Sequence, residues 1–255
     1  MPDTTSVQRY GVIGHPIEHS RSPQIHAQFA SQFNLALSYE RILAPLDGFA
    51  STVEQFFKTG SGLNVTLPFK EQAYELVGPR LSRRARMAGA VNTLWLEDGQ
   101  LHGCNTDGVG LCSDLLRVGH NPEGKRILLI GAGGASRGVV FPLLEAGCEL
   151  LHIINRTSAK AYEIREQVVA LDPDASRRLS AGGLDDHCGD WDIVINATSA
   201  SLNQNLPDLP DARYRSHSLA YDMFYASEPT AFMRAAQQAG ATQSRDGLGM
   251  LVGQA

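Results

Sequence analysis

With 255 residues, 43% of them apolar, the chain is long enough for one large domain or two modest ones, each with its own core. Its formal charge of −5 is mixed along the sequence rather than gathered into blocks, which argues against nucleic acid or an anionic membrane as partner. The first ten residues lack the basic flank and apolar core of a leader, no run approaches the roughly 20 apolar residues of a membrane span, and Cys104, Cys112, Cys148 and Cys188 fall at unrelated spacings, so a cytoplasmic protein with reduced core thiols is expected.

Residues 7–13 read as a first strand, ending at Gly14. His15 to His19 then spell H-x-x-E-H, a zinc-protease pattern. Gly14 before it and Ser22-Pro23 after it deny the run the sustained helix that would bring both histidines to one face, so no metal is expected. Ser20 and Ser22 offer short hydroxyls in a loop at a strand's carboxyl end, suited to a polyol or carboxylate ligand. Ser22 also reads as the N-cap of a helix with Pro23 at N1 and Ile25, His26 and Phe29 along it.

A strand over 39–43, a helix over 49–58 and a strand over 62–65 follow. That strand exits through Asn64 and Thr66 into a helix starting at Pro68, with Lys70 in its first turn. A lysine there meets the unfavourable end of the helix dipole and invites an acidic partner; the plainer alternative is a surface lysine. Residues 81–87 form a basic helix ended by Gly89, and 90–96 with 100–103 form a hairpin across Asp98-Gly99, with Asn92 early in its first strand. The hairpin delivers Asn105-Thr106-Asp107-Gly108 to an amphipathic helix through Val109, Leu111, Leu115 and Leu116, which Asp107 is placed to cap. A domain boundary is expected near 103–107.

After a polar connection over 119–124 comes the stretch that organises the second half. An apolar strand over 127–130, the glycines Gly131, Gly133 and Gly134, a helix over 135–146 closed by Gly147, and a strand over 150–154 make one βαβ unit. Its glycines let backbone amides approach a pyrophosphate at the positive end of the helix. The position where an NAD site carries Asp or Glu holds Asn155, Arg156 and Thr157, with Lys160 one turn on. A guanidinium and an ammonium without a carboxylate suit a 2′-phosphate, which makes NADP the expected cofactor. A helix over 158–171 is broken by Asp172-Pro173. Strands over 192–195 and 219–221 end in Asn196-Ala197-Thr198-Ser199 and Asp222-Met223-Phe224-Tyr225. Ligands of a doubly wound sheet lie at strand carboxyl ends, which puts Thr198, Ser199 and Met223 on the nicotinamide side; caps and core explain Ser199 and Met223 equally well. A helix over 230–239 precedes a last apolar helix opening at Gly247, which ends without a polar or glycine stop, so the native chain is expected to continue.

The strings G-x-P-I-x-H-S-x-S-P (14–23), N-V-T-x-P-F-K (64–70), A-G-A-V-N-T (88–93), N-T-D-G-x-G (105–110), G-A-G-G-A-S-R-G (131–138), N-R-T (155–157), N-A-T-S (196–199) and G-L-G-M-L-x-x-Q-A (247–255) stand in the order of the shikimate dehydrogenases. Over essentially its whole length the chain resembles that family, most closely its NADP-dependent biosynthetic type. The resemblance implies an α/β fold of two domains: an α/β substrate domain, 1–105 with 241–255, to which the C-terminal helix returns, and a Rossmann-type doubly wound NADP domain, 106–240. It implies reversible reduction of 3-dehydroshikimate to shikimate with NADPH, in chorismate and aromatic amino acid biosynthesis, by a monomer or homodimer.

By that resemblance Lys70 and Asp107 form the catalytic pair, and Ser20 and Ser22 hold the substrate carboxylate with Tyr225 nearby. Asn64, Thr66, Asn92, Asp107 and Gln254 bind the hydroxyls and carbonyl. Gly131, Ala132, Gly133, Gly134 and Ala135, then Asn155, Arg156, Thr157 and Lys160, bind NADP, with Thr198, Met223 and Gly247 around the nicotinamide. Two departures stand out: Ala27 where the family often has asparagine, and a C-terminal helix that in the family runs past Ala255. A broader quinate/shikimate oxidoreductase is the neighbouring reading, and a silent NADP-binding sensor the reading outside enzymes. A sensor has no reason to keep Lys70, Asp107 and both serines together.

Overall fold

The computed structural model describes residues 7–186, 189–198 and 213–255; Cys188 and Ser199 lie outside the described residues. The chain forms two compact units, one reaching Thr106 and taking in Ala255, the other Asp107–Gln254.

In the first unit, the described residues form strands β1 (Gln8–Gly14), β2 (Leu37–Leu43), β3 (Gly62–Val65), β4 (Thr93–Glu97) and β5 (Gln100–Cys104), in the order β2-β1-β3-β4-β5. β1 runs parallel to both β2 and β3, and β3-β4-β5 continue antiparallel. Asp98 (φ 52°) and Gly99 (φ 72°) both take the left-handed backbone that a two-residue hairpin turn requires, so the β4–β5 register follows from two adjacent residues. Helices α1 (Ser22–Phe33), α2 (Phe49–Phe56), α3 (Lys70–Val77) and α4 (Arg83–Ala88) belong to this unit. Its core joins Ile13, Val53, Leu63 and Val65 to Phe49 and Phe69, whose rings stack at 4.8 Å. Each such side chain contributes about 1.5–3 kcal/mol on burial. α4 is bounded as its ends suggest: Ser82 Oγ accepts the Ala85 amide and Gly89 closes it at φ 59°.

In the second unit, strands β6 (Arg126–Ile130), β7 (Leu150–Ile154), β8 (Leu179–Gly182), β9 (Asp190–Asn196), β10 (Arg213–Asp222) and β11 (Gln243–Arg245) lie in the order β11-β10-β9-β6-β7-β8, every neighbouring pair parallel. Ile127 to Ile130 and Ile193 to Ile195 are buried without alternation, as strands covered on both faces must be. Helices α5 (Asp107–Arg117), α6 (Gly134–Glu145), α7 (Ser158–Leu171), α8 (Ala231–Gln238) and α9 (Leu248–Gln254) complete it. Strand order reverses between β6 and β9, the switch point at which doubly wound sheets bind ligands.

Several expectations need correction. Ser22 is not an N-cap: Arg21 holds that position without a side-chain bond, and Ser22 is the first helical residue. Residues 90–92 precede β4 instead of forming its start, because Val91 gives its amide to the Lys70 carbonyl at 2.9 Å. β8 and β11 escape a hydrophobic scan, being four and three residues long with little apolar content. Residues 241–254 group by contacts with the second unit, where α9 packs on α5.

Candidate active site

In the first unit the register brings most of the proposed substrate residues to one end of the sheet. β3 pairs with β1 so that Asn64 faces Val12, and the Thr66 amide bonds the Ile13 carbonyl at 2.9 Å. Gly14 makes room for Thr66, since a Cβ there would lie 2.5 Å from Thr66 Cγ2. Ser20 and Ser22 are buried, their hydroxyls 3.3 Å apart, and Arg41 Nε fixes the Ser20 carbonyl at 2.8 Å.

Asn64 Nδ2 donates to the Asn92 carbonyl and to Thr93 Oγ1, both at 3.3 Å. Asn92, buried, accepts the Thr106 amide at 3.0 Å and donates to Thr106 Oγ1 at 3.0 Å. One hydrogen-bonded chain thus runs from Asn64 through Asn92 to Thr106. Lys70 is half-buried as the first residue of α3, and its carbonyl anchors the loop that carries Asn92.

Tyr39 is a member of this cluster that the sequence reading missed. Its phenol donates to Asn64 Oδ1 at 2.6 Å and its ring stacks on His26 at 4.1 Å, 8° from parallel. Burial pushes the phenol well above its ordinary pKa, against the pull of a hydrogen bond with Ser22, and keeps it a donor. Burial also lowers the His26 pKa. The signal available was a tyrosine in a strand beside a loop of buried hydroxyls; its target, two strands away, was not readable.

In the second unit Asp107 is buried as the first residue of α5, and Gln254 is the last of α9. Tyr225 also belongs here, next to Phe224, whereas Ser20, Ser22 and Lys70 belong to the first unit.

The residues after β6 and β7 fit a dinucleotide. Gly131 stands at φ 112°, and a Cβ there would come within 3.2 Å of the Ala197 backbone and of Thr198 Cγ2. A Cβ on Gly133 would meet nothing within 4 Å. α6 begins at Gly134 with no side-chain cap, leaving its first amides for an anion. At the end of β7, Arg156, Thr157 and Lys160 are exposed, Asn155 Nδ2 holds the turn through the Thr157 carbonyl at 2.9 Å, and the first turn of α7 has no acid. The chemistry of this donor set matches a nucleotide bearing an extra phosphate.

At the other side of the switch point, Asn196 Oδ1 accepts both the Thr198 amide (3.1 Å) and hydroxyl (2.8 Å), and the Met223 amide bonds the Asn196 carbonyl at 2.9 Å. Gly247 gives its amide to the Phe224 carbonyl at 3.0 Å and packs against the Met223 backbone so closely that a Cβ would collide with it. Thr198, Met223 and Gly247 are held there by a buried set outside the sequence reading: Asp222, which takes Asn196 Nδ2 at 3.0 Å and Thr230 Oγ1 at 2.6 Å. Around His15 and His19 the chain is bend and turn, and His15 Nδ1 lies 2.9 Å from the Ala44 carbonyl.

Residues 12–94 match the family model described as the shikimate dehydrogenase substrate binding domain, and 116–206 the one described as shikimate / quinate 5-dehydrogenase. The chain is 56% identical to a shikimate dehydrogenase (NADP(+)) of Bordetella petrii, covering 100% of this chain and 90% of the relative. It is 51% identical to the enzyme of that name from a Janthinobacterium species, over 99% of this chain and 90% of the relative. A crystal structure of shikimate 5-dehydrogenase from Thermus thermophilus in complex with NADP(H) and shikimate, 32% identical, superposes with a TM-score of 0.83 over 97% of this chain and 90% of that one.

Proposed function

The chain belongs to the shikimate dehydrogenase family, and on that premise we propose that it reversibly reduces 3-dehydroshikimate to shikimate with NADPH, a step of chorismate and aromatic amino acid biosynthesis. The observation that carries this is the chain-long 56% identity to an enzyme of that name, from the first substrate motif to the last. It acts as a monomer or homodimer in the cytoplasm, on a small molecule; among the described residues no helix is long and apolar enough to cross a membrane.

NADPH, when bound, supplies the hydride. Gly131 to Ala135 would receive its pyrophosphate on backbone amides, Asn155, Arg156, Thr157 and Lys160 its 2′-phosphate and ribose, and Thr198, Met223 and Gly247 would border the nicotinamide. Ser20 and Ser22, with Tyr225, hold the substrate carboxylate; Asn64, Thr66, Asn92, Asp107 and Gln254 hold its oxygens. Reduction of the carbonyl leaves an alkoxide, and a donor within hydrogen-bond reach must protonate it. Lys70 Nζ, as ammonium, would stabilise the developing charge and give up that proton, and Asp107, the other member of the catalytic pair, would accept from the adjacent hydroxyl.

Initial rates at the NADPH absorbance band, with shikimate or quinate against NADP or NAD, test the reading. Turnover with shikimate and NADP alone is expected. Turnover with quinate or NAD as well moves the enzyme to the broader quinate/shikimate type, and NADP binding without turnover in any pairing refutes the assignment in favour of a sensor.

A further inference from the structure

α9 is seven residues of leucine, glycine, methionine and valine up to Gln254, too short to hold itself in place through its own ladder. A buried polar bridge holds it. The Asp114 side chain, 2% exposed, receives Arg117 on Oδ1 through Nε at 2.8 Å and Nη2 at 2.6 Å. Its Oδ2 accepts the Tyr221 phenol at 2.7 Å. Tyr221, fully buried in β10, accepts the Met250 amide at 3.2 Å, one of the first-turn amides that a helix leaves without an internal partner. Asp246 takes the Leu248 amide at 3.3 Å, and the internal ladder starts only with Leu251 on the Gly247 carbonyl at 2.9 Å. Burial, then the hydrogen bond and charge of Asp114, hold the Tyr221 phenol far above its ordinary pKa, so it remains the donor.

Glycines press the two helices together around this bridge. A Cβ on Gly249 would land on the Asp114 carboxylate, and one on Gly253 would sit 3.1 Å from Gly110 Cα. A Cβ on Gly110 would meet the Met250 carbonyl at 2.6 Å and the Gln254 amide at 2.8 Å. Backbone therefore meets backbone at Gly110 and Gly253, and a carboxylate fills the space at Gly249, at a spacing of four residues on each helix. Slipping α9 by one residue would turn Gln254 by about 100°. An apolar residue at 114 would continue the buried stripe of Leu111 and Leu115 without desolvating a charge. Placement of the helix accounts for the acid better than stability does.

We infer that Asp114, acting through Tyr221, is a positioning residue: it sets the rotation and height of α9 on α5 and so aims Gln254 at the substrate. This rests on the proposed role of Gln254 in binding shikimate.

The test is a double-mutant cycle of Tyr221→Phe and Gln254→Ala, reading the shikimate KM, the shikimate Kd by fluorescence titration, and the NADP Kd. Tyr221→Phe is expected to raise shikimate KM and Kd about tenfold with NADP Kd unchanged, and to add far less in the Gln254→Ala background. Asp114→Asn, which keeps an oxygen for Tyr221, is expected to move both constants the same way by less, and its cycle with Gln254→Ala decides if Tyr221→Phe does not fold. Gln254→Ala with wild-type shikimate constants overturns the reading of Gln254 and this inference with it. An impaired Gln254→Ala beside a Tyr221→Phe that binds shikimate normally, adds its full effect in the cycle, or loses NADP in parallel overturns the inference alone.

Discussion

Replacing Tyr39 by phenylalanine removes one oxygen from the proposed substrate cluster, where it bonds Asn64 and Ser22. The ring keeps its stack on His26 at 4.1 Å, and what is lost is the phenol oxygen, which donates to Asn64 Oδ1 at 2.6 Å and shares a hydrogen bond with the Ser22 side chain. An acceptor left without its donor in the interior costs roughly 1–3 kcal/mol, and Asn64 is half-buried, which places the loss near the lower end. The amide still has its bonds to the Asn92 carbonyl and Thr93 Oγ1, both long at 3.3 Å, so it is free to rotate out of register with a substrate hydroxyl. If the whole loss falls on substrate binding, shikimate KM rises about fivefold; as stability, the same loss lowers Tm by about 2–4 °C. Initial rates against shikimate at saturating NADP, with a thermal melt of the same preparation, measure both. A fall in kcat at constant KM would refute the reasoning, because Tyr39 would then be acting on the reacting atoms and not on Asn64.

Three further outcomes are expected. Lys70→Ala lowers kcat far more than it raises KM; a change confined to KM would make Lys70 a substrate anchor. Arg156→Ala and Lys160→Ala each raise NADP KM about tenfold while leaving the affinity for NAD, read by binding titration, unchanged, and the effect shrinks as salt is added; equal losses for the two nucleotides would refute the 2′-phosphate reading. Burial lowers the folded pKa of His26 below its ordinary 6.5. Below that pH the unfolded chain takes up a proton that the folded one refuses, so His26 subtracts stability as pH falls from 7 toward 5. His26→Phe, which preserves the stack on Tyr39, should flatten the Tm-versus-pH slope in that window, and an unchanged slope would count against the assignment.

What was legible in the sequence was what neighbouring residues decide. The βαβ unit from β6 to β7 follows from an apolar run, glycines and a second apolar run within one short stretch, and the β4–β5 hairpin from Asp98-Gly99 alone. Partners that meet only through the register of separate strands stayed hidden. Tyr39 pairs with Tyr10 while Asn64 pairs with Val12, so the Tyr39–Asn64 bond spans the intervening β1 and depends on both pairings at once. The expected N-cap at Ser22 failed for a related reason: its hydroxyl faces Ser20 within the buried loop, where tertiary contacts outrank a local propensity.

Asp114 and Tyr221 are 107 residues apart in the chain, yet one clue was local. In α5 the acid stands three residues after Leu111 and beside Leu115, a position that the amphipathic stripe reserves for an apolar side chain. A buried acid in such a stripe needs a donor, and a buried tyrosine in a strand needs an acceptor, so each predicts a partner without naming it. The same contact changes how the string from Gly247 to Ala255 is understood. Gly247 fits against the Met223 backbone, Gly253 against that of Gly110 and Gly249 against the Asp114 carboxylate, so its three glycines answer to close packing, and Gln254 is the side chain to which substrate chemistry is assigned in the proposal. A motif recognised as one string therefore mixes two demands, and only the second is about substrate. Substituting its glycines should move shikimate affinity through the placement of α9, and substituting Gln254 should move it directly; the cycle through Tyr221 separates the two.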